Sequence, residues 1–493
     1  MRFYGKIREM SNHVSKNIFW LTASRIAALV LLFFAYTQLF RYLGPFASGQ
    51  YQFILSYVLI FATIVDFGIQ QFITKKISEN PGETKTYFQE FFSFEILVSA
   101  LLYAVLIAVA LFRHYDTVVF YGIGLAGLGM VANALTYPYL AVMAAFQDLR
   151  KVALINFLNS IVNISVIFAA IAFHRYIVFL AGVQLAFGVL DLVLYRFFVR
   201  KHLPKPQVLQ SIFKFDIHLI KNIVKQGWPF ALLVGFSAIY NRIDVVLITW
   251  LKDYTQTGFY TAAYKIFDLL GFFPSVVSYT LFPFFASLMA KQAFGEVKEN
   301  LEKYLRLMIA AALPMAVGGT ILSAKLIALI AGPQFAPAGP VLAILIWAPA
   351  ILFIYIPVNS LVISQLTKKA VIVTGANVIV NIVGNLLLIP HFGIKAAAAM
   401  TVVSESIQGI FYFYFVRKNI TDFKFLGNLW KPAIAAAIMG VILWQIKNIN
   451  LAFSLVIGVA IYFVVLLALK FINKQDIVFI KSLFKPAAVN PNQ

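Results

Sequence analysis

Six charged residues lie well inside stretches that are otherwise apolar: Arg25, Arg242, Asp244, Lys265, Asp268 and Glu405. If those stretches cross a membrane, each charge facing lipid costs about 3 kcal/mol. Such residues must instead face a bundle interior, pair with one another or line a watery cavity. Lys265 and Asp268, three apart, can meet on one helix face. Arg242 and Asp244, two apart, diverge on a helix and need partners elsewhere. Internal pairing that merely tolerates the charges is one reading. The other is a cationic cavity, with Arg25, Arg242 and Lys265 receiving an anionic substrate. In that reading Asp66, Asp244, Asp268 and Glu405 are candidates for coupling to a proton or sodium gradient.

Amides and aromatics repeat at helical spacing nearby. Asn156, Asn159 and Asn163 share a face, as do Asn377, Asn381 and Asn385, and Tyr260, Tyr264 and Phe267 share one near Lys265. The amides can bridge helices, each bridge contributing about 0.6 kcal/mol. Alternatively Asn159, Asn163, Asn377, Asn381, Tyr260 and Tyr264 form the polar lining of a cavity. His114, His174 and His391 have no second ligand at metal spacing, so no metal site is expected. The glycine run from Gly122 to Gly129 sits inside an apolar stretch, without the strand and helix of a phosphate cradle. It reads as close packing, and no cofactor is expected.

The elements carrying these residues are membrane spans. The chain has 493 residues, 61% hydrophobic and 12% charged, without cysteine. Soluble domains carry roughly twice that share of charge. Runs near the twenty residues needed to span a bilayer occur at 17–40, 47–72, 88–112, 117–145, 152–173 and 176–199. A basic connector covers 200–226. Further runs follow at 227–250, 259–287, 304–324, 337–363, 371–389, 394–416, 431–447 and 451–471. That predicts an all-α polytopic membrane protein of about fourteen transmembrane helices. Met1–Lys16 is basic and precedes an apolar run too long for a signal peptide, so a retained first helix is expected.

Threading these spans alternately puts 30 Lys and Arg on one side and 7 on the other, with three inside helices. Positive residues collect on the cytoplasmic side, so both termini are expected there. The net charge of +21 is therefore a topology signal, spread over short loops, and not a nucleic-acid stripe. The chain also repeats. An offset of 218 lays Gln147, Lys151, Asn159 and Asn163 on Gln365, Lys369, Asn377 and Asn381, and an offset of 209 lays Gly49 and Tyr51 on Gly258 and Tyr260. Six spans per half make a parallel repeat, related by a pseudo-twofold along the membrane normal and enclosing a central site. The expected organisation is a lobe over 1–199, the cytoplasmic connector 200–226, a second lobe over 227–424, and two extra helices with a basic tail over 425–493.

Short motifs carry a family resemblance. Leu43-Gly44-Pro45 with Gly49-Gln50-Tyr51, Asp66-Phe67-Gly68-Ile69, and the stretch from Asn381 through Leu388-Ile389-Pro390-His391-Phe392-Gly393-Ile394 to Ala396–Ala399 and Glu405 resemble segments of Wzx-type polysaccharide-export flippases. These belong to the multidrug/oligosaccharidyl-lipid/polysaccharide superfamily. Lys395-Ala396-Ala397 stands where that family commonly has Gly-Ala-Ala. By itself, Pro390 is expected to end its helix and Gly393 to permit the reversal. The resemblance implies a MATE-like fold and a flippase in the bacterial inner membrane. Its substrate would be an undecaprenyl-diphosphate-linked oligosaccharide, such as an O-antigen or capsule repeat unit, moved by alternating access. The implied partners are that lipid-linked oligosaccharide, membrane lipids and other polysaccharide-assembly membrane proteins.

Three other readings compete. A MATE-type multidrug exporter favours acidic sites for cationic drugs. A lipid-linked peptidoglycan-precursor flippase shares the fourteen-helix plan. An integral glycan polymerase or ligase needs a long outer loop with catalytic residues. The longest loop here is cytoplasmic and lacks paired carboxylates, so a transporter is expected and not an enzyme.

Overall fold

The computed structural model describes residues 2–66, 69–174, 176–203, 217–424 and 429–471. The side chains of residues 2–30 and of Asp66 are outside the described set, so the expectations for Arg25 and Asp66 lie outside the described residues.

Among the described residues the regular elements are all helical. The first half contains α1 (Arg2–Asp66), α2 (Ile69–Glu79), α3 (Thr84–Phe112), α4 (Thr117–Ala134), α5 (Tyr137–Ala145), α6 (Leu149–Ala172) and α7 (Ile177–Val199). The second contains α8 (Ile217–Leu251), α9 (Tyr254–Ala290), α10 (Phe294–Ala331), α11 (Ala338–Leu345), α12 (Trp347–Gln365), α13 (Thr367–Phe392) and α14 (Ile394–Asn419). Then come α15 (Trp430–Gln445) and α16 (Leu451–Ala468). Ten described segments are long and apolar enough to cross a membrane, which makes this a multi-pass membrane protein. The expectation of fourteen is met in part. One of the ten, Leu31–Glu79, runs across the kink in α1. Helix α14 falls short in hydropathy, because Ser404, Glu405, Ser406 and Gln408 interrupt it.

Three local expectations need correction. The first two spans join as one kinked rod. Gly44 takes φ 71°, which glycine alone adopts freely, and Pro45 restarts the helix at a position where no amide donor is needed. Helix α8 already begins at Ile217, inside the expected connector. Pro390 does not end α13, which continues to Phe392 and reverses at Gly393, φ 62°. The Pro390 carbonyl instead accepts from Lys252 Nζ at 2.9 Å.

The repeat reappears as geometry. The fourth and tenth predicted spans are both broken, at Leu135–Thr136 and at Ile346, and a proline, Pro138 or Pro349, follows each break. Helix α1 packs across the molecule on α8 and α9. That crossing is made at two glycines. A Cβ at Gly49 would overlap the Tyr254 carbonyl, and one at Gly258 would overlap the carbonyl of Pro45. Residues 45 and 254 are themselves equivalent at the offset of 209, so the contact is reciprocal. Within the first half, the glycine run of α4 packs on three helices: Gly122 meets Ile54 of α1, Gly127 meets Tyr103 of α3, and Gly129 meets the Gln184 backbone of α7. Helices α15 and α16 pack on each other and on α10.

Candidate functional site

A cavity of about 430 Å³ is lined mostly by first-half helices and completed by two residues of the second half. Its second-half wall carries Arg242 of α8 and Lys265 of α9. Arg242 Nη2 is 3.6 Å and Lys265 Nζ 3.8 Å from the same Asp268 carboxylate oxygen. The three side chains are 19–33% exposed, so a solute in the cavity can reach them. Two cations share one acid and leave a net positive charge. The Arg242 guanidinium lies 5.8 Å from the Tyr264 ring and Lys265 Nζ 4.2 Å from the Tyr36 ring. Aromatic faces hold cations without neutralising them. A smaller, mostly apolar cavity of about 200 Å³, lined by Phe33, Tyr36, Phe40, Lys265 and Ile330 among others, adjoins the same lysine.

Behind this wall lies a dry polar network. Asp244 is 2% exposed. It accepts from Tyr260 Oη (2.8 Å), Asn385 Nδ2 (2.8 Å) and Thr401 Oγ1 (3.1 Å). Glu405 is 5% exposed and accepts from Tyr355 Oη at 2.5 Å and Tyr240 Oη at 3.0 Å. Among the described residues neither carboxylate has a cation within salt-bridge distance; neutral donors alone hold them. Asn385 also donates to Asn381 (3.0 Å), Asn381 to Ser404 (3.2 Å), and Asn377 to Gln408 (3.2 Å). The Asn385 Oδ1 atom is buried without a partner. Tyr264, 3% exposed, has the Tyr260 ring 5.6 Å from its own and the Arg242 guanidinium over its face, and so stands between the wet cluster and the dry one.

The structure thus separates residues that the sequence grouped. Arg242 turns to Asp268 and Asp244 turns away into the network, as their spacing requires. Asn163 lies on the cavity wall, and Asn159 sits behind it, donating to Asp191. Asn377, Asn381, Tyr260 and Tyr264 are buried and are not part of that wall. Sequence reasoning missed Tyr36, Thr401, Tyr240, Tyr355 and Asp191, and on the first-half wall Gln52, Ser56, Asn133 and Gln184. The signal for the last four was present: polar residues within apolar spans, passed over because they carry no charge.

A family profile described as polysaccharide biosynthesis protein matches residues 14–289, more than half of the chain. An uncharacterized membrane protein of Methanocaldococcus jannaschii is 24% identical over 308 residues, covering 59% of this chain and 59% of its own length. The Haloferax volcanii protein named "Probable flippase AglR" is 22% identical over 213 residues, 42% of this chain and 44% of its own. The chain therefore spans about half of the length of these curated relatives. Among solved structures, the lipid II flippase MurJ in an inward closed conformation matches with a TM-score of 0.73. That match covers 94% of this chain and 99% of the other at 14% identity, and shows a shared fold. The chain belongs to the polysaccharide biosynthesis protein family and has the all-helical, flippase-like architecture that MurJ shares with MATE transporters.

Proposed function

We propose that the protein is a flippase for a lipid-linked oligosaccharide, holding the lipid diphosphate at Arg242 and Lys265 while the glycan occupies the cavity. The observation that carries this reading is the charge imbalance: two partly exposed cations on one cavity wall share, among the described residues, the single acid Asp268. A dianionic head group would supply the missing negative charge, and the Arg242 fork suits phosphate oxygens bidentately. The finer reading is an undecaprenyl-diphosphate carrier bearing a surface-polysaccharide repeat unit, moved from the cytoplasmic to the outer leaflet of the bacterial inner membrane. It takes fourteen spans, in two six-span lobes plus two helices, with both termini cytoplasmic. The repeated breaks and the reciprocal glycine contact support the two lobes. Coupling falls to Asp244 and Glu405, with Asp268 committed to the substrate side. Asp244 beside the unpartnered Asn385 Oδ1 offers acceptors that a proton or sodium ion would complete.

The test is flipping in proteoliposomes. Arg242→Ala and Lys265→Ala should each lower the rate at least tenfold at wild-type protein levels, and Arg242→Lys should restore part of it. Asp244→Asn should leave transport insensitive to imposed proton and sodium gradients. Wild-type rates in both alanine variants would sink the diphosphate site.

A further inference from the structure

The cavity has a second wall, chemically unlike the first. Gln52 and Ser56 of α1, Asn133 of α4, Asn163 of α6 and Gln184 of α7, all from the first half, line the same cavity as Arg242 and Lys265. None of the five is charged. Gln52 and Ser56 belong to residues only 4% and 2% exposed, yet both line the cavity. The side chains of Gln52, Ser56, Asn133 and Asn163 make no hydrogen bond to another described residue, and Gln184 lies beside the Tyr51 hydroxyl. Helix packing fixes this wall. Gly129 brings α4 against the Gln184 backbone, and Gly188 brings α7 against Ala132 and the Gly129 carbonyl. Asn133 and Gln184 are therefore carried on two helices in backbone contact, with little freedom to turn away.

Such amides offer a donor pair and an acceptor each, on a fixed surface and without charge. A phosphate has acceptors only and gains nothing from the amide carbonyls. A sugar hydroxyl both donates and accepts, and so matches side chains that do the same. Resting on the flippase reading above, we infer that this wall is a glycan subsite, with Gln52, Asn133 and Asn163 recognising hydroxyl or acetamido groups of the sugar nearest the diphosphate. The cavity is then bipartite: the second half holds the phosphates, and the first half reads the sugar. Its volume is within the roughly 300–1,000 Å³ of ligand pockets, enough for the junction of lipid and glycan and not for a whole repeat unit. Specificity would lie with the proximal sugar.

Binding to the purified full chain tests this with two kinds of soluble probe. One is farnesyl diphosphate; the other is farnesyl diphosphate carrying a single hexose, N-acetylhexosamine or uronic acid. At least one sugar should bind wild type about tenfold or more tightly than the bare diphosphate. Gln52→Met and Asn163→Leu, on different helices and near in shape to the originals, should each remove most of that increment. Both should leave farnesyl diphosphate binding unchanged, which also reports that the variant is folded. Arg242→Ala should weaken all probes by one common factor. A sugar increment that survives both amide replacements, or no increment for any sugar, overturns the subsite. Indifference of farnesyl diphosphate to Arg242→Ala overturns the diphosphate reading instead, and the two failures are separable.

Discussion

The same asparagines stand at equivalent places in the two halves and have been put to different uses. Asn159 and Asn377, 218 residues apart, each bridge to the next helix, Asn159 to Asp191 of α7 and Asn377 to Gln408 of α14. One turn on, the halves part. Asn381 is fully buried and bonded to Ser404 and Asn385 within the network that encloses Asp244, whereas Asn163 faces the open cavity. A duplicated scaffold keeps its helix bridge in both copies. Its next position is free to become a closed polar core in one copy and a solute-facing wall in the other. The closed copy encloses Asp244 and Glu405 away from the cavity, and the open copy turns uncharged amides toward it.

The features common to both halves should be the most sensitive. Gly49→Val and Gly258→Val each place side-chain atoms into the opposite backbone, and each should reduce folded, membrane-extracted protein at least tenfold in size-exclusion yield. A large effect from only one of them would break the equivalence. Next comes the asymmetric pair. Asp244→Ala strips the partner from Tyr260, Asn385 and Thr401 inside a dry core, and should cost about 3 kcal/mol, read as a clear drop in thermal unfolding temperature. Asn163→Ala, at the wet position, should cost under about 0.5 kcal/mol. Equal losses would mean that the first half is as closed as the second.

The bridges at repeat-equivalent positions should separate more finely. Asn377→Ala breaks an amide pair worth about 0.6 kcal/mol. Asn159→Ala strands a carboxylate, and a charged partner makes such a bond roughly twice as strong, so its unfolding temperature should fall further. The smallest effect concerns acid. At the start of α6, burial works against the Asp148 carboxylate, but hydrogen bonds from Lys151 and His202 outweigh it and hold its pKa below the usual range. That contribution is present above the ordinary carboxylate pKa and is lost as pH falls through the lowered one. Its equivalent in the second half is Leu366, which cannot titrate. Protection of the amides at the α5–α6 corner, taken relative to the intrinsic exchange rate at each pH, should therefore fall as pH drops below about 4, while protection at the α12–α13 corner stays unchanged. Asp148→Asn should abolish the difference.

Much of this was readable from residue order alone, because a bilayer imposes length and apolarity on each helix independently. Span positions, the repeat and the divergence of Arg242 from Asp244 all follow from local periodicity. What local periodicity cannot show is which neighbour a polar side chain meets. Asn385 and Thr401 converge on Asp244 from α13 and α14, helices that are remote from α8 in sequence. Nothing around Thr401 distinguishes it from the many threonines that bond their own helix. Pro390 shows a related limit: a lost backbone donor usually ends a helix in water, yet α13 continues two residues beyond it while Lys252 occupies its carbonyl. Uncharged Gln52, Asn133 and Gln184 were passed over for another reason: a charge in a membrane costs about 3 kcal/mol wherever it meets lipid, whereas an amide is readily satisfied by a neighbouring helix and so signals no cavity by itself.

The reciprocal glycine crossing also bears on how the protein is made. About 200 residues separate Gly49 from the Tyr254 backbone it packs on, and translation adds roughly 5–20 residues per second. Helix α1 therefore waits for about 10–40 s in the membrane with its glycine face unpaired, until α9 emerges. During that interval the first half must stand on α1, α3, α4, α6 and α7, whose described buried side chains form a core to which the second half adds Val246 and, at its edge, Tyr254. The first half can thus assemble as a unit, and the cavity gains its two cations, Arg242 and Lys265, only when the second half is delivered against it.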